Sequence, residues 1–443
     1  MKLKVLLFFT TLFISLGSCT NDKGNSKIVN PLPDSSDEKL TDDELLDLVQ
    51  LQTFKYFWDG AHAASGMALE RSNGDGKTVT SGGSGFGVMA IIVGVERGFI
   101  TREQAVERLL LITNFLISGD RFHGAFPHWY NGDTGKVQRF SEKDDGGDIV
   151  ETSFMIQGLL AARQYFDLNN DNENLLRARI EKLWDEVEWD WYVQPGTDYL
   201  TWHWSPNYGF QINHKLEGYN EALITYVLAA SSKTHPIDAT VYHKGWAGNG
   251  AIKNGEKYYD KYVLPLGFDY GGPLFFTHYS FMGLNPNGLV DSYANYWEQN
   301  VAHTLINREY CVQNPKGWVG YSSKIWGLTA SDGNNGYSAH SPTNDKGVIT
   351  PTAALSSFPY TPEHSMEVLR NLYENRKNDL WGPYGFYDAF NDSANWVAPS
   401  YLAIDQGPIV VMIENYRTGL MWNLFMSCLE IQEGLDKLGF SYK

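Results

Sequence analysis

The sequence predicts an all-α fold, and three observations carry the prediction. Apolar residues recur at helical spacing in about a dozen stretches, several of those stretches are apolar on every face, and strand-like alternation is confined to brief hairpins. Helices that are apolar all round need a second helical layer to cover them, so the pattern points to buried inner helices wrapped by amphipathic outer ones. A double-layered α/α toroid and an irregular helical array both satisfy it. No charge block, low-complexity run or Pro/Ser-rich linker interrupts residues 41–443, which therefore read as one domain.

Taken in order, residues 1–18 are a leader. Lys2 and Lys4 precede an apolar run at 5–16 that is too short for a stable membrane span and reads as an export signal. It ends in Leu16-Gly17-Ser18-Cys19, which resembles a bacterial lipobox, where cleavage before Cys19 leaves a thiol for acylation. An ordinary secretory signal with a chance cysteine is the alternative. Residues 19–40, rich in Asn, Ser, Pro and Asp, read as a flexible tether.

Thr41-Asp42-Asp43-Glu44 is a capping box opening a helix with Leu45, Leu48, Leu51, Phe54 and Phe57 on one face. Thr101-Arg102-Glu103-Gln104 opens another, running to residue 117. Further helices are expected over 85–97, 148–166, 173–189, 218–232, 292–311, 361–376, 408–416 and 419–438, with shorter pieces near Ile237 and Pro351. Long loops rich in Gly, Trp and Tyr lie between them at 122–140, 199–210, 317–337 and 381–396, and Asn131-Gly132-Asp133 marks a hairpin. The segment from Asp167 to Asp171 begins like a calcium loop. It carries Asn172 where the glycine belongs and Ala178 where the bidentate Glu belongs, so it is a turn.

Lys and Arg total 35 against 52 Asp and Glu, a formal net charge of −17. Nucleic acid, anionic lipid headgroups and polyuronic acids are poor partners for such a chain, and a membrane is reached through the lipid anchor alone. The 14 Trp, 26 Tyr and 23 Phe suggest a neutral, hydroxyl-rich glucan, whose C–H faces pack on rings and whose hydroxyls bond to carboxylates and amides. Many of these rings must equally fill a large core. Cys311 and Cys428 stand outside any CxxC or Cys/His cluster and read as buried free thiols, with a single disulfide as the alternative. Without an HExxH, Walker loop, GxSxG elbow or dinucleotide fingerprint, no metal or cofactor is expected, and a monomer is.

The densest acidic cluster is Asp144-Asp145-Gly146-Gly147-Asp148-Ile149-Val150-Glu151, which leads straight into an apolar helix. Asp148 at N-cap and Glu151 at N3 would make a capping box, and in isolation that reading is the stronger. Three acids beside two glycines, ahead of a helix too apolar to be exposed, favour a cleft floor. Glu221 in Gly218-Tyr219-Asn220-Glu221-Ala222, and Asp405 in Ile404-Asp405-Gln406-Gly407-Pro408, stand at the starts of two more apolar helices. Each alone reads as a helix-end stabiliser. An α/α barrel, however, gathers alternate helix ends at one mouth. Glycoside hydrolysis needs convergent acids there, one carboxyl protonating the leaving oxygen and another activating water or attacking the sugar.

At these residues the chain resembles the glycoamylase-like proteins of glycoside hydrolase family 144, bacterial β-1,2-glucanases. The resemblance covers nearly all of the chain after the leader and is carried by three of these stretches together with Gly385-Phe386-Tyr387-Asp388-Ala389-Phe390. It implies an (α/α)6 toroid, β-1,2-glucan or sophoro-oligosaccharides as substrate, and inversion at the anomeric carbon. It further implies Glu221 as general acid, Asp405 as the carboxylate handling the attacking water, and Asp144, Asp148 and Glu151 as further acids of the cleft. Trp202, Trp204, Trp318, Tyr321, Trp326, Trp381, Tyr384 and Trp396 are candidate stacking platforms, while Phe386 and Tyr387 read as core. Hydrolysis of another glucan, starch included, and a non-catalytic glycan-binding lipoprotein stay open. A polysaccharide lyase would want basic residues against a uronate, which the negative balance disfavours.

Overall fold

In the computed structural model, which describes residues 39–443, the chain starts on the capping box read in the sequence. Thr41 Oγ1 accepts from the Glu44 N–H at 3.3 Å and the Glu44 carboxylate accepts from the Thr41 N–H at 2.8 Å, opening α1, Asp42–Trp58. The leader, Cys19 and nearly all of the tether lie outside the described residues. The helices that follow are α2 Ser81–Glu96, α3 Arg102–Ser118, α4 Ile149–Tyr165, α5 Asp171–Asp185, α6 Leu223–Ser231, the single turn α7 Ala239–Val241, α8 Tyr296–Gln313, α9 Pro351–Leu355, α10 Pro362–Leu380, α11 Ala403–Thr418, α12 Leu420–Met426 and α13 Leu429–Lys437.

They form the two layers that all-round hydrophobicity demanded. The inner ring runs α9, α11, α2, α4, α6, and its sixth place is taken by 3-10 turns at Leu274–Thr277 and Ser280–Met282 instead of an α-helix. Side-chain hydrogen bonds close this ring. Ser280 Oγ accepts from the Ile224 N–H of α6 at 3.0 Å, and the Tyr360 hydroxyl just after α9 donates to the Thr277 carbonyl at 2.8 Å. Outside it, α1 packs on α11 and α2, α5 on α4, α13 on α6, α8 on the 3-10 segment and α10 on α9. The fold is thus an α/α toroid, with strands reduced, among the described residues, to one three-stranded sheet and pairs of two-residue strands.

Several boundaries differ from the sequence reading. The α2 helix begins at Ser81, because Gly82, Gly83 and Gly85, poor helix formers in isolation, are here the faces on which neighbouring elements rest. The α11 helix begins at Ala403 and carries Pro408 in its interior, so Asp405 lies in its first turn and not before it. A proline so near the start forfeits a single i−4 bond. The expected helix at 419–438 breaks after Met426 into α12 and α13. In α1 Leu45, Phe54 and Phe57 are buried as expected, together with Leu46, Val49, Gln50, Thr53 and Tyr56, whereas Leu48 and Leu51 are half-buried. Asn170 caps α5, so the calcium-loop look-alike is a turn. Cys311 and Cys428 are free and buried.

The tightest helix pair is α2 with α4. A Cβ added at Gly85 would strike the Phe154 carbonyl, and one added at Gly158 would strike the Gly85 carbonyl. Gly85→Ala is therefore expected to destabilise the fold by about 1–3 kcal/mol through overpacking against backbone. Thermal denaturation checks this, and an unchanged or raised Tm would show that the two helices can part freely.

Candidate active site

The acidic motif before α4 splits into distinct environments. Asp148 is the N-cap of α4, its Oδ1 accepting from the N–H groups of Val150 and Glu151 at 2.9 Å each. Its Oδ2 lies 2.8 Å from His128 Nδ1. The capping reading of Asp148 therefore describes its geometry, and its second oxygen holds an ion pair. Burial works against a charge on His128, but Glu151 and Asp148 outweigh it and lift this imidazole to about 9. Glu151 does not complete a capping box. Its carboxylate turns to α2, accepting from the Gly82 N–H at 2.6 Å and the Thr80 hydroxyl at 3.2 Å, and burial raises its pKa. Asp144 is buried beside His203, with Oδ1 3.0 Å from Nε2, where the strand Gly147–Asp148 pairs antiparallel with His203–Trp204.

Glu151 and Glu221 open into one cavity of about 660 Å³ at the mouth of the toroid. The N-cap of α6 is Ala222, without a side-chain cap, and Asn220 Oδ1 accepts from the Ala222 N–H at 2.9 Å; Glu221 lies two residues before α6, not in its first turn. Its backbone carbonyl accepts from Ser280, which ties this turn to the 3-10 wall. Burial, with smaller contributions from Asp148 and Glu151, pushes the Glu221 carboxyl up to about 7. Tyr279, from the same wall, lines the cavity close enough to Asp405, Glu221 and Glu151 for all three to influence its hydroxyl. Nothing in the sequence singled out this tyrosine.

Asp405 is 1% exposed, and its chain neighbours Leu402 and Ile404, not Asp405 itself, line the cavity. Its carboxyl faces that of Asp388 within hydrogen-bonding reach. Burial first, and Asp388 second, raise Asp405 well above the usual carboxylate range. Asp388 was visible in the sequence as part of Gly385-Phe386-Tyr387-Asp388, yet nothing in that context separated it from an ordinary hairpin acid. Beyond the pair, Arg71 joins Glu70 to Asp332, its Nε 2.8 Å from the former and its Nη1 3.2 Å from the latter, and both Glu70 and Arg71 line the cavity.

Of the candidate stacking rings, Trp202 lines the cavity. Trp204, in the strand His203–Trp204, packs edge-on against His123 and Trp191 at 4.8 and 6.0 Å. Trp326 is fully buried in the core, and Trp318 and Tyr321 direct their polar atoms at Asp345, each at 2.8 Å. These three serve packing and a buried carboxylate, since aromatic residues in a Gly-rich loop are drawn inward whenever a neighbour can satisfy their N–H or O–H. Trp381 packs edge-on against Phe386, Tyr384 against Tyr56 and Tyr401, and Trp396 pairs with Asn391 across a hairpin. Phe386 is core, and Tyr387 is half-buried. Rings that sequence reasoning missed do line the cavity: Phe140 stacks on His128 at 4.3 Å and meets Trp129 edge-on at 4.9 Å. Both lie in the aromatic loop at 122–140.

His128, Asp144 and Asp148 bring one donor atom each within 4.8 Å of one another, the spacing of a metal site. The donor set fits a proton better. His128 Nδ1 is already engaged by Asp148, and a cation would have to displace the proton that two acids stabilise there.

The family model "Putative glucoamylase" matches residues 213–429. An endo-β-1,2-glucanase from Chitinophaga pinensis, solved with sophorotriose and glucose, superposes with a TM-score of 0.89 at 57% identity, over 91% of this chain and 99% of that one. The chain belongs to the glycoamylase-like family, the β-1,2-glucanase group of glycoside hydrolase family 144. A curated family member from Parabacteroides distasonis, an exo β-1,2-glucooligosaccharide sophorohydrolase acting at the non-reducing end, is 49% identical over 419 residues. That match takes in 90% of this chain, which spans 58% of the relative's length. A β-1,2-glucanase structure from the same organism has a TM-score of 0.89 at 48% identity, covering 90% of this chain and 60% of that one. In this family setting the His128–Asp148 pair has a measurable signature. Because its pKa is raised from 6.5 to about 9, His128 contributes stability that is full below about pH 6.5 and lost as pH rises through about 9. His128→Gln should lower Tm near pH 6, with the gap to wild type narrowing towards pH 10, and a pH-independent gap would contradict the ion pair.

Proposed function

We propose that this chain is a glycoside hydrolase cleaving β-1,2-glucan or sophoro-oligosaccharides, with Glu221 as proton donor and Asp405 as the carboxylate that handles the attacking water. The observation that carries the reading is Glu221. It caps nothing, forms no salt bridge among the described residues, and opens into a ring-walled cavity while burial holds its carboxyl at about 7. A carboxyl that keeps its proton near neutrality is what a leaving glycosidic oxygen requires. Trp202, Trp129 and Phe140 supply apolar faces for sugar rings, and Glu70, Arg71, His214 and Asn220 supply polar partners for hydroxyls. The names of the relatives from Chitinophaga pinensis and Parabacteroides distasonis support the β-1,2 linkage. Asp144, Asp148 and Glu151 complete the reading as acids of the cleft, and Asp148 contributes through His128.

Inversion fits carboxylates supplied by separate segments, since an inverting pair stands about 6.5–9.5 Å apart to admit a water, against about 5–5.5 Å for a retaining pair. The test is incubation with linear glucans differing only in linkage, followed in the first minutes by proton NMR. Release of the α-anomer from the β-1,2-linked substrate is expected, whereas an initial β-anomer would rule out inversion and intact β-1,2-glucan would rule out the substrate. Glu221→Gln and Asp405→Asn should each lower kcat by about 10²–10⁴. If Glu221→Gln turns over normally, the general acid lies elsewhere.

We further propose that the protein is exported and works as a monomer held to a bacterial membrane through acylated Cys19. The Leu16-Gly17-Ser18-Cys19 pattern supports this reading. Cys19→Ala should move the protein from the membrane to the soluble fraction with its specific activity intact. A wild type that already fractionates as soluble and unacylated would end the idea.

A further inference from the structure

The mechanism above leaves a buried carboxyl without a task. Asp388 is 2% exposed and lies between the strands Gly385–Phe386 and Phe390–Asn391, its N–H donating to the Ser400 carbonyl at 3.0 Å, which places it beside the segment entering α11. Its Oδ2 accepts from the Asp332 N–H at 2.8 Å. Its Oδ1, and both oxygens of Asp405, have no partner among the described residues. Three unpartnered carboxyl oxygens on two facing acids are costly to bury, and a single proton between them resolves the cost.

We propose that Asp388 and Asp405 share one proton, and that Asp388 is a positioning residue setting the charge on Asp405, which stands behind the cavity wall formed by Leu402 and Ile404. The proposal rests on the reading of Asp405 given above. The local donors decide where the proton resides. Asp388 accepts a backbone N–H and lies near the Arg71 guanidinium, so it holds the negative charge, while Asp405 accepts nothing and carries the proton. In the reaction Asp405 passes that proton to Asp388, and the carboxylate so formed takes one from the attacking water. The dyad then carries two protons and releases one to solvent, while Glu221, having given its own to the leaving oxygen, regains one. Two carboxylates this close cannot both ionise, which is the logic of paired acids in other hydrolases. The other charged or titratable groups facing the pair are Asp332, Glu70, Arg71, Tyr56, Tyr279 and Tyr337.

The sign of the effect on stability follows. A native state that retains a proton the unfolded chain has lost becomes less stable as pH rises. Between about pH 5 and 8 the stability of wild type therefore carries a downward slope from this proton. Both Asp388→Asn and Asp405→Asn should flatten that slope to a similar extent, because either amide donates to the remaining carboxylate and frees it to ionise. Denaturant titrations across this pH range read the slope without any substrate, so they stand or fall independently of the glucan assay. If Asp405→Asn flattens it and Asp388→Asn does not, Asp405 is a lone buried acid and the sharing is wrong. An equal loss of stability at all pH values would make Asp388 merely structural. Wild type alone supplies a second measurement that does not depend on a variant folding. The infrared band of a protonated carboxyl should persist at pH 7, where ordinary carboxyls are ionised, and its absence there would overturn the proposal.

Discussion

The cleft floor depends on the contact between Gly85 of α2 and Gly158 of α4, where each helix rests its backbone on the other. Glycine inside a helix costs about 1 kcal/mol relative to alanine, and here that cost is offset by an approach no side chain would permit. The approach brings the starts of both helices together. The Gly82 N–H can then reach Glu151, and a Cβ at Gly82 would stand 2.6 Å from that carboxylate oxygen. The glycine run in α2 thus determines where the first-turn acid of α4 points, and through it the charge felt by His128 and Glu221.

Three carboxyls at the cleft sit in three kinds of surroundings. Asp148 is fed by two helix amides and faced by the His128 imidazolium. Glu221, desolvated and without a cation, is placed to keep its proton near neutrality. Asp405, buried and facing a second buried acid, is raised well above the usual carboxylate range. Divergent environments for like groups are how one cleft supplies acid and base chemistry together. They also account for the crowding of acids at a single mouth, since each acid alters the titration of the next.

Much of this was legible in the sequence, for physical reasons. All-round apolar helices signal an inner layer in any context, so the two-layered fold could be read from α2, α4 and α11. Caps written into four consecutive residues, as at Thr41 and Thr101, survive folding because they are local. Boundaries governed by tertiary contact were not legible: the glycine-rich start of α2 reads as a helix breaker until α4 is packed on it, and Pro408 reads as a helix start until Ala403 is seen to precede it. At the site, Glu221 and Glu151 could be singled out because acids ahead of apolar helices are conspicuous. Asp388, Tyr279, Phe140 and Arg71 could not, since each reaches the cavity or its rear wall through a loop path that no spacing rule encodes. Trp326 illustrates the converse, an aromatic in a loop of the right composition that the core absorbed.

The sixth place of the inner ring is filled by 3-10 turns that flank Tyr279, where its neighbours are mostly α-helical. Turns of this kind have poorer hydrogen-bond geometry than an α-helix and propagate over only a few residues, so this wall lacks the cooperative ladder that makes α2 and α4 open as units. Amide hydrogens from Leu274 to Met282 should accordingly exchange with solvent through smaller, more frequent openings than those of the opposite wall. The toroid therefore has a stiff side and a compliant one. A cleft built in this way can widen on the compliant side while the acids anchored to α4 hold their positions.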